Sequence, residues 1–261
     1  MTTFPALFVS HGAPTLILDD VPARDFLGRV GGELGRPRAI VVVSAHYAAQ
    51  TVKVTAHDAP PTIHDFRGFP EALYRMTYPA PGAPDLAADI VARVSAAGLP
   101  AALDTDWGFD HGTWVPLMLM YPEADIPVVA VSVNPDGDPA THARLGEALA
   151  PLRAEGVLVV ASGSFTHNLF EIPRPRRLTG GDTPAWVTEF AAWLSETIVD
   201  GRAEDMLDYR ARAPHAERNH PTDEHLLPLF AAWGAGGRGA GRRLHSSNTL
   251  GVLQMDAYAF G

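Results

Sequence analysis

Four histidines sit in short phrases of one kind: His11 in Val9-Ser10-His11-Gly12-Ala13-Pro14, His46 in Val43-Ser44-Ala45-His46, His167 in Ser162-Gly163-Ser164-Phe165-Thr166-His167-Asn168, and His225 in His220-Pro221-Thr222-Asp223-Glu224-His225. Imidazole is the commonest metal ligand and also moves protons near neutral pH. The chain has no cysteine, so disulfides and thiolate sites are excluded and an ion must rely on His, Asp or Glu. Such a donor set with open positions suits oxygen chemistry at Fe(II) or hydrolysis at Zn(II). Room must remain for substrate and for oxygen or water. About three protein ligands are therefore expected, with one of the four histidines left as a non-ligand acid or base.

The other histidines lack this setting. His57, His142, His215 and His245 read as structural or exposed, His64 lies in a lid-like loop, and His220 reads as a neighbour of the site or a helix-entry residue. Glu224 has two readings, a carboxylate ligand or an acid in the first turn of a helix. The chain carries no His-Glu-x-x-His helix, no Gly-x-x-x-x-Gly-Lys loop and no Gly-x-Ser-x-Gly elbow. Ser162-Gly163-Ser164 lacks the elbow pattern of a serine nucleophile.

The hydrophobic pattern supplies the elements that must position these groups. Unbroken apolar runs at Pro5–Val9, Ala39–Ser44, Ile126–Val133 and Val157–Ser162 predict buried strands ending at small residues. If the first two are parallel neighbours, His11 and His46 share one edge of a sheet. Strands are also expected at Thr51–Ala56 and Ala101–Leu103, and a closing strand at Leu250–Ala259. Helices are expected at Asp19–Leu34, Asp85–Ala97, Thr113–Tyr121 with its start near His111, Pro139–Arg153, Trp186–Ile198 and around Met206. A last helix is expected to be capped at Thr222 and to run through Phe230. Pro60–Pro70 reads as an ordered loop beside a pocket, Pro173–Pro184 as a surface loop and Gly234–Gly241 as a glycine-rich loop. The alternation predicts an α/β fold: a single domain over 1–261 with a central, mostly parallel or mixed sheet and helices on both faces. A formal net charge of −10 argues against a nucleic-acid partner and for a small molecule. The N-terminus shows no signal-peptide pattern and no apolar stretch approaches a membrane span, so a soluble cytoplasmic protein without a membrane partner is expected.

In order along the chain, the four phrases above together with Pro61-Thr62-Ile63-His64-Asp65-Phe66 and Trp107-Gly108-Phe109-Asp110-His111-Gly112-Thr113-Trp114 resemble the class III extradiol ring-cleavage dioxygenases, in the group typified by DOPA 4,5-dioxygenases. The resemblance runs nearly end to end. It implies metal ligation by His11, His46 and His225, with His167 as a fourth ligand or as the catalytic acid/base, a role suited to an imidazole with a pKa near 7. It implies Fe(II) in the active enzyme, Zn(II) as an ion such sites hold when purified, and a catechol such as DOPA with O2 as substrates. His111 is expected to position substrate or oxygen, and His64, Asp65 and Trp114 to bind substrate. A carboxylated catechol would need a local cation, for which Arg67 and Arg75 are the candidates. More distant class III enzymes complete the site with a glutamate, so the phrase Glu224-His225 poses a choice. The alternatives are a non-catalytic metal-binding interaction protein on the same scaffold and a zinc-dependent hydrolase; homo-oligomerisation is left open.

Overall fold

In a computed structural model, which describes residues 3–174 and 177–261, the strands are β1 (Ala6–Ser10), β2 (Ala39–Ala48), β3 (Val52–Thr55), β4 (Ala101–Asp104), β5 (Val128–Val133), β6 (Val157–Gly163), β7 (Gly241–His245), β8 (Asn248–Thr249), β9 (Leu253–Gln254) and β10 (Ala257–Phe260). The helices are α1 (Pro22–Leu34), α2 (Glu71–Tyr74), α3 (Pro84–Ala96), α4 (His111–Met120), α5 (Pro139–Ala154), α6 (Ala185–Val199), α7 (Ala203–Leu207), α8 (Tyr209–Arg212), α9 (Ala216–Asn219) and α10 (Leu227–Ala235). Met1 and Thr2, part of the N-terminus read above, and residues 175 and 176 of the expected surface loop lie outside the described residues.

Eight strands form one mixed sheet in the order β4-β3-β5-β2-β6-β1-β10-β7. β5, β2, β6 and β1 are parallel, while β10 and β3 join them antiparallel. Helices cover both faces, which is why the central strands read as unbroken apolar runs. Val41, Val43 and Val159 turn to the face packed by α3, α5, α6 and α10. Ile40, Val42 and Val160 turn to the face packed by α1 and α4. Among the described residues no helix is long and apolar enough to cross a membrane.

The structure departs from the sequence reading in four places. His11 and His46 do share one sheet edge, but β6 lies between β1 and β2. Helix α10 begins at Leu227, without a side-chain cap. Pro228 in its first turn has no N–H to satisfy and has its φ preset for a helix, so Thr222 is not needed as the cap. The glycine-rich segment is shorter than expected because α10 continues to Ala235 and Gly241 opens β7, an edge strand whose exposed Arg242 and Arg243 hide it from a hydrophobicity pattern. The expected closing strand is split into β9 and β10 after a turn in which Leu250 and Gly251 both take positive φ.

Candidate metal centre

Parallel pairing sets the register of the site. Ser44, Ser132 and Ser162 lie side by side at the C-terminal ends of β2, β5 and β6, on the face covered by α4. Ser132 accepts from Lys53 N of β3, while Ser44 and Ser162 tether the start of α4. Ser44 Oγ donates to Asp110 Oδ1 at 2.6 Å, and Asp110 caps α4 by accepting from Thr113 N. Ser162 Oγ donates to Gly112 O at 2.5 Å. The start of α4, and with it His111, is thus fastened to the strand ends. His11 follows β1 and its N–H donates to Gly163 O at 3.0 Å. His46 lies in β2, where the pairing with β5 shifts register between Ser44 and Ala48. His225 arrives from the segment before α10, its carbonyl accepting from Ser164 N at 2.8 Å. A Cβ on Gly163 would stand 2.2 Å from that carbonyl, so only glycine permits the approach.

Three imidazoles converge by their Nε2 atoms: His46 Nε2 lies 3.0 Å from His11 Nε2 and 3.2 Å from His225 Nε2. Their other nitrogens are engaged. His11 Nδ1 faces Ser162 Oγ at 3.0 Å, His46 Nδ1 faces Asp65 Oδ2 at 3.3 Å, and His225 Nδ1 faces Glu224 Oε1 at 3.0 Å. The Ser162 hydroxyl gives its own hydrogen to Gly112 O, so it accepts from His11; the two carboxylates are acceptors in any case. Each ring is therefore held as the Nδ1–H tautomer, and three Nε2 lone pairs face one another. A cation is the group that satisfies such an arrangement, and an outer partner on the second nitrogen is the usual support of a metal-binding histidine. The donors fit a divalent metal.

Distance alone groups the donors differently, His11 with His46 and His111, and His167 with Glu224 and His225, each set having one donor per residue within 4.8 Å of the others. Hydrogen bonding separates these groups. His111 Nδ1 and N–H are both spent on Asp65, at 2.9 Å each. Glu224 stands behind His225, on its Nδ1 side. His167 lies flat on His225, ring centroids 3.5 Å apart and planes 9° from parallel, beside the Nε2 trio.

Burial dominates the electrostatics. His11 and His225 are pushed well below the usual histidine range, first by burial and then by neighbouring imidazoles, and burial with His111 lowers His46 to about 3. His167 is lowered to about 4, again chiefly by burial, well under the value near 7 expected from sequence. It is neutral at pH 7. Burial alone would raise Asp65, but hydrogen bonds and charge from His111 win and hold it below the usual carboxylate range.

The trio opens into a cavity of about 780 Å³ whose wall includes His111, His167, Phe66, Arg67, Leu169 and Asp19. Three expected substrate contacts lie outside that wall. Trp114 is fully buried, its indole N–H donating to Ile63 O at 3.1 Å, so it braces the loop from behind. His64 bonds through Nε2 to Met76 O at 3.0 Å. Asp65 directs its carboxylate at His111 and His46. Arg75 pairs with Glu71 at 3.6 Å away from the cavity, whereas Arg67 lines it. Sequence reading missed Ser44, Ser162 and Asp110, whose roles depend on strand register, and Asp19, which follows His11 by eight residues.

Sheet, strand-edge histidines and donor set define an α/β protein built to hold a non-haem metal beside a substrate cavity. Residues 5–260 match the family described as the catalytic LigB subunit of aromatic ring-opening dioxygenase, and the chain belongs to that family. It is 41% identical over 258 residues to 4,5-DOPA dioxygenase extradiol of Beta vulgaris, covering 97% of this chain and 95% of that protein. It is 43% identical over 242 residues to 4,5-DOPA dioxygenase extradiol of Escherichia coli K12, covering 90% and 86%. The crystal structure of an uncharacterized Escherichia coli K12 protein superposes with a TM-score of 0.81 at 34% identity, covering 99% of this chain and all of that one. The chain is thus an extradiol ring-opening dioxygenase of a metal-dependent family.

Proposed function

We propose that this chain is one catalytic domain over 1–261 that cleaves a catechol such as DOPA with O2 in the cytoplasm, using Fe(II) held by His11, His46 and His225. The observation that carries the reading is the convergence of three Nε2 lone pairs, each backed by an acceptor on Nδ1. Bound Fe(II) supplies Lewis acidity and a template that brings catechol and oxygen together.

The remaining work falls to the chain. His167, neutral at pH 7 and in the cavity wall, accepts a catechol proton on a ring nitrogen and returns it later in the reaction. His111 has Nδ1 fixed by Asp65, which leaves Nε2 to orient substrate. Phe66, Phe69, Leu169 and Leu253 give the cavity apolar walls that exclude water around the ring. Glu224 acts through His225 and not as a ligand itself.

The test is anaerobic reconstitution with Fe(II), followed by a panel of catechols and then oxygen. Oxygen uptake matched to a yellow ring-opened product is expected with at least one catechol. Absence of uptake across the panel, with iron bound one per chain, would contradict the reading.

A further inference from the structure

The cavity is chemically uneven. His11 and His225 at its floor are buried, and among the described residues only two in its wall, apart from histidines, carry a full charge, Asp19 and Arg67. Asp19 is half-buried and Arg67 exposed, so both charges lie closer to solvent than the buried His11 and His225. Both are carried by anchored segments. Asp19 Oδ2 accepts from Thr15 Oγ1 at 2.8 Å, just beyond the 3-10 turn Pro14–Ile17 that follows His11. Arg67 comes two residues after Asp65, which is fastened to His111, and directly after Phe66, whose ring packs edge-on to Phe69 at 5.3 Å. Among the described residues neither charge has a protein counter-ion, whereas Arg75, close by in sequence, pairs with Glu71.

We propose that Asp19 and Arg67 form the subsite for the ring substituent of the catechol, and that it selects a substituent bearing both an ammonium and a carboxylate, the head of an amino acid. The proposal rests on the ring-cleavage reading of the histidine centre, which puts the two catechol oxygens at the cavity floor and so directs the substituent outward. A guanidinium receives a carboxylate through two parallel N–H bonds, and a carboxylate receives an ammonium. A substituent with a carboxylate alone leaves Asp19 unpaired beside a like charge. One with an ammonium alone does the same at Arg67. Selectivity thus has a repulsive part as well as an attractive one.

The test is equilibrium binding to the iron-loaded protein without oxygen, read by calorimetry for three catechols that differ in the substituent: DOPA, dopamine and 3,4-dihydroxyphenylpropionate. The wild type is expected to bind DOPA about tenfold more tightly than either of the others. Asp19→Asn should erase the preference over the propionate and keep that over dopamine; Arg67→Gln should do the opposite. Each preference is a ratio within one variant, so a general loss of fold or metal does not imitate it. Equal binding of the three by the wild type, or survival of either preference in the variant meant to erase it, overturns the proposal. Oxygen is then admitted as a separate readout. Selective binding without ring opening supports the subsite and sinks the ring-cleavage reading, and ring opening without selectivity supports the reading and sinks the subsite.

Discussion

His11 and His142 are equally buried, each 1% exposed, yet they differ in what their second nitrogen meets. His142, in α5, donates from Nδ1 to Asp138 O at 2.9 Å and accepts at Nε2 from Asn134 N at 3.1 Å. Both of its nitrogens are satisfied by backbone, and it closes the loop between β5 and α5. His11 has one satisfied nitrogen and one aimed at His46 Nε2, which in turn faces His225 Nε2. Burial and residue type are the same; the unsatisfied lone pair is what separates a binding centre from a structural histidine.

Substitutions at the two places should break this comparison most sharply. Ala at His11, His46 or His225 is expected to lower turnover by more than about a thousandfold, since metal catalysis contributes several kcal/mol. His142→Ala should instead cost about 1–3 kcal/mol of stability, by leaving Asn134 N and Asp138 O unpaired, and retain activity in assays run below its melting temperature. Next in size, His167→Ala should keep the metal and lower kcat by about 10²–10⁴, measured in the steady state at saturating catechol. Asp65→Asn weakens the support of both His46 and His111, so metal affinity should fall about 10- to 100-fold in a chelator competition.

Much of this contrast was legible in the sequence, though not its cause. The central strands showed as unbroken β-branched runs because both sheet faces are covered, and the histidines stood out because each follows the break of such a run or precedes a helix. Nothing in local pattern could place β6 between β1 and β2, since strand order is a long-range property. For the same reason Ser162 reads as a failed nucleophile in sequence and becomes the acceptor for His11 only through the pairing of β6 with β1, which sets Ser162 opposite Val9. His64 shares a loop phrase with Asp65 and Phe66, and Trp114 an α4 phrase with His111; only the path of the loop and the facing of the helix decide which of them reach the cavity.

Acid should act on both kinds of buried histidine alike. His11, His46, His225, His142 and His220 are all depressed below 6.5, each chiefly by burial, His46 and His220 to about 3. Below pH 6.5 the unfolded chain then binds more protons than the folded one. Stability is full above that pH and falls as pH drops toward the folded values, by up to about 1.4 kcal/mol per pH unit for each group. Urea denaturation of metal-free protein at pH 7 and pH 5 reads this slope. Metal sharpens the difference, because added Fe(II) at about 100 times its dissociation constant should raise stability by about 2.7 kcal/mol in the wild type and in His142→Ala, but not in His11→Ala. The smallest effect is expected at His64, whose ring turns to Met76 O. His64→Ala should change kcat/KM by a factor of about two.

The central claim is that three Nε2 lone pairs make one metal site, and anaerobic Fe(II) titration with metal counted per chain tests it most directly. One iron per chain is predicted for the wild type and for His142→Ala, and none at the same free iron for His11→Ala, His46→Ala and His225→Ala. Retention of stoichiometric iron by any of those three variants at wild-type affinity would contradict it.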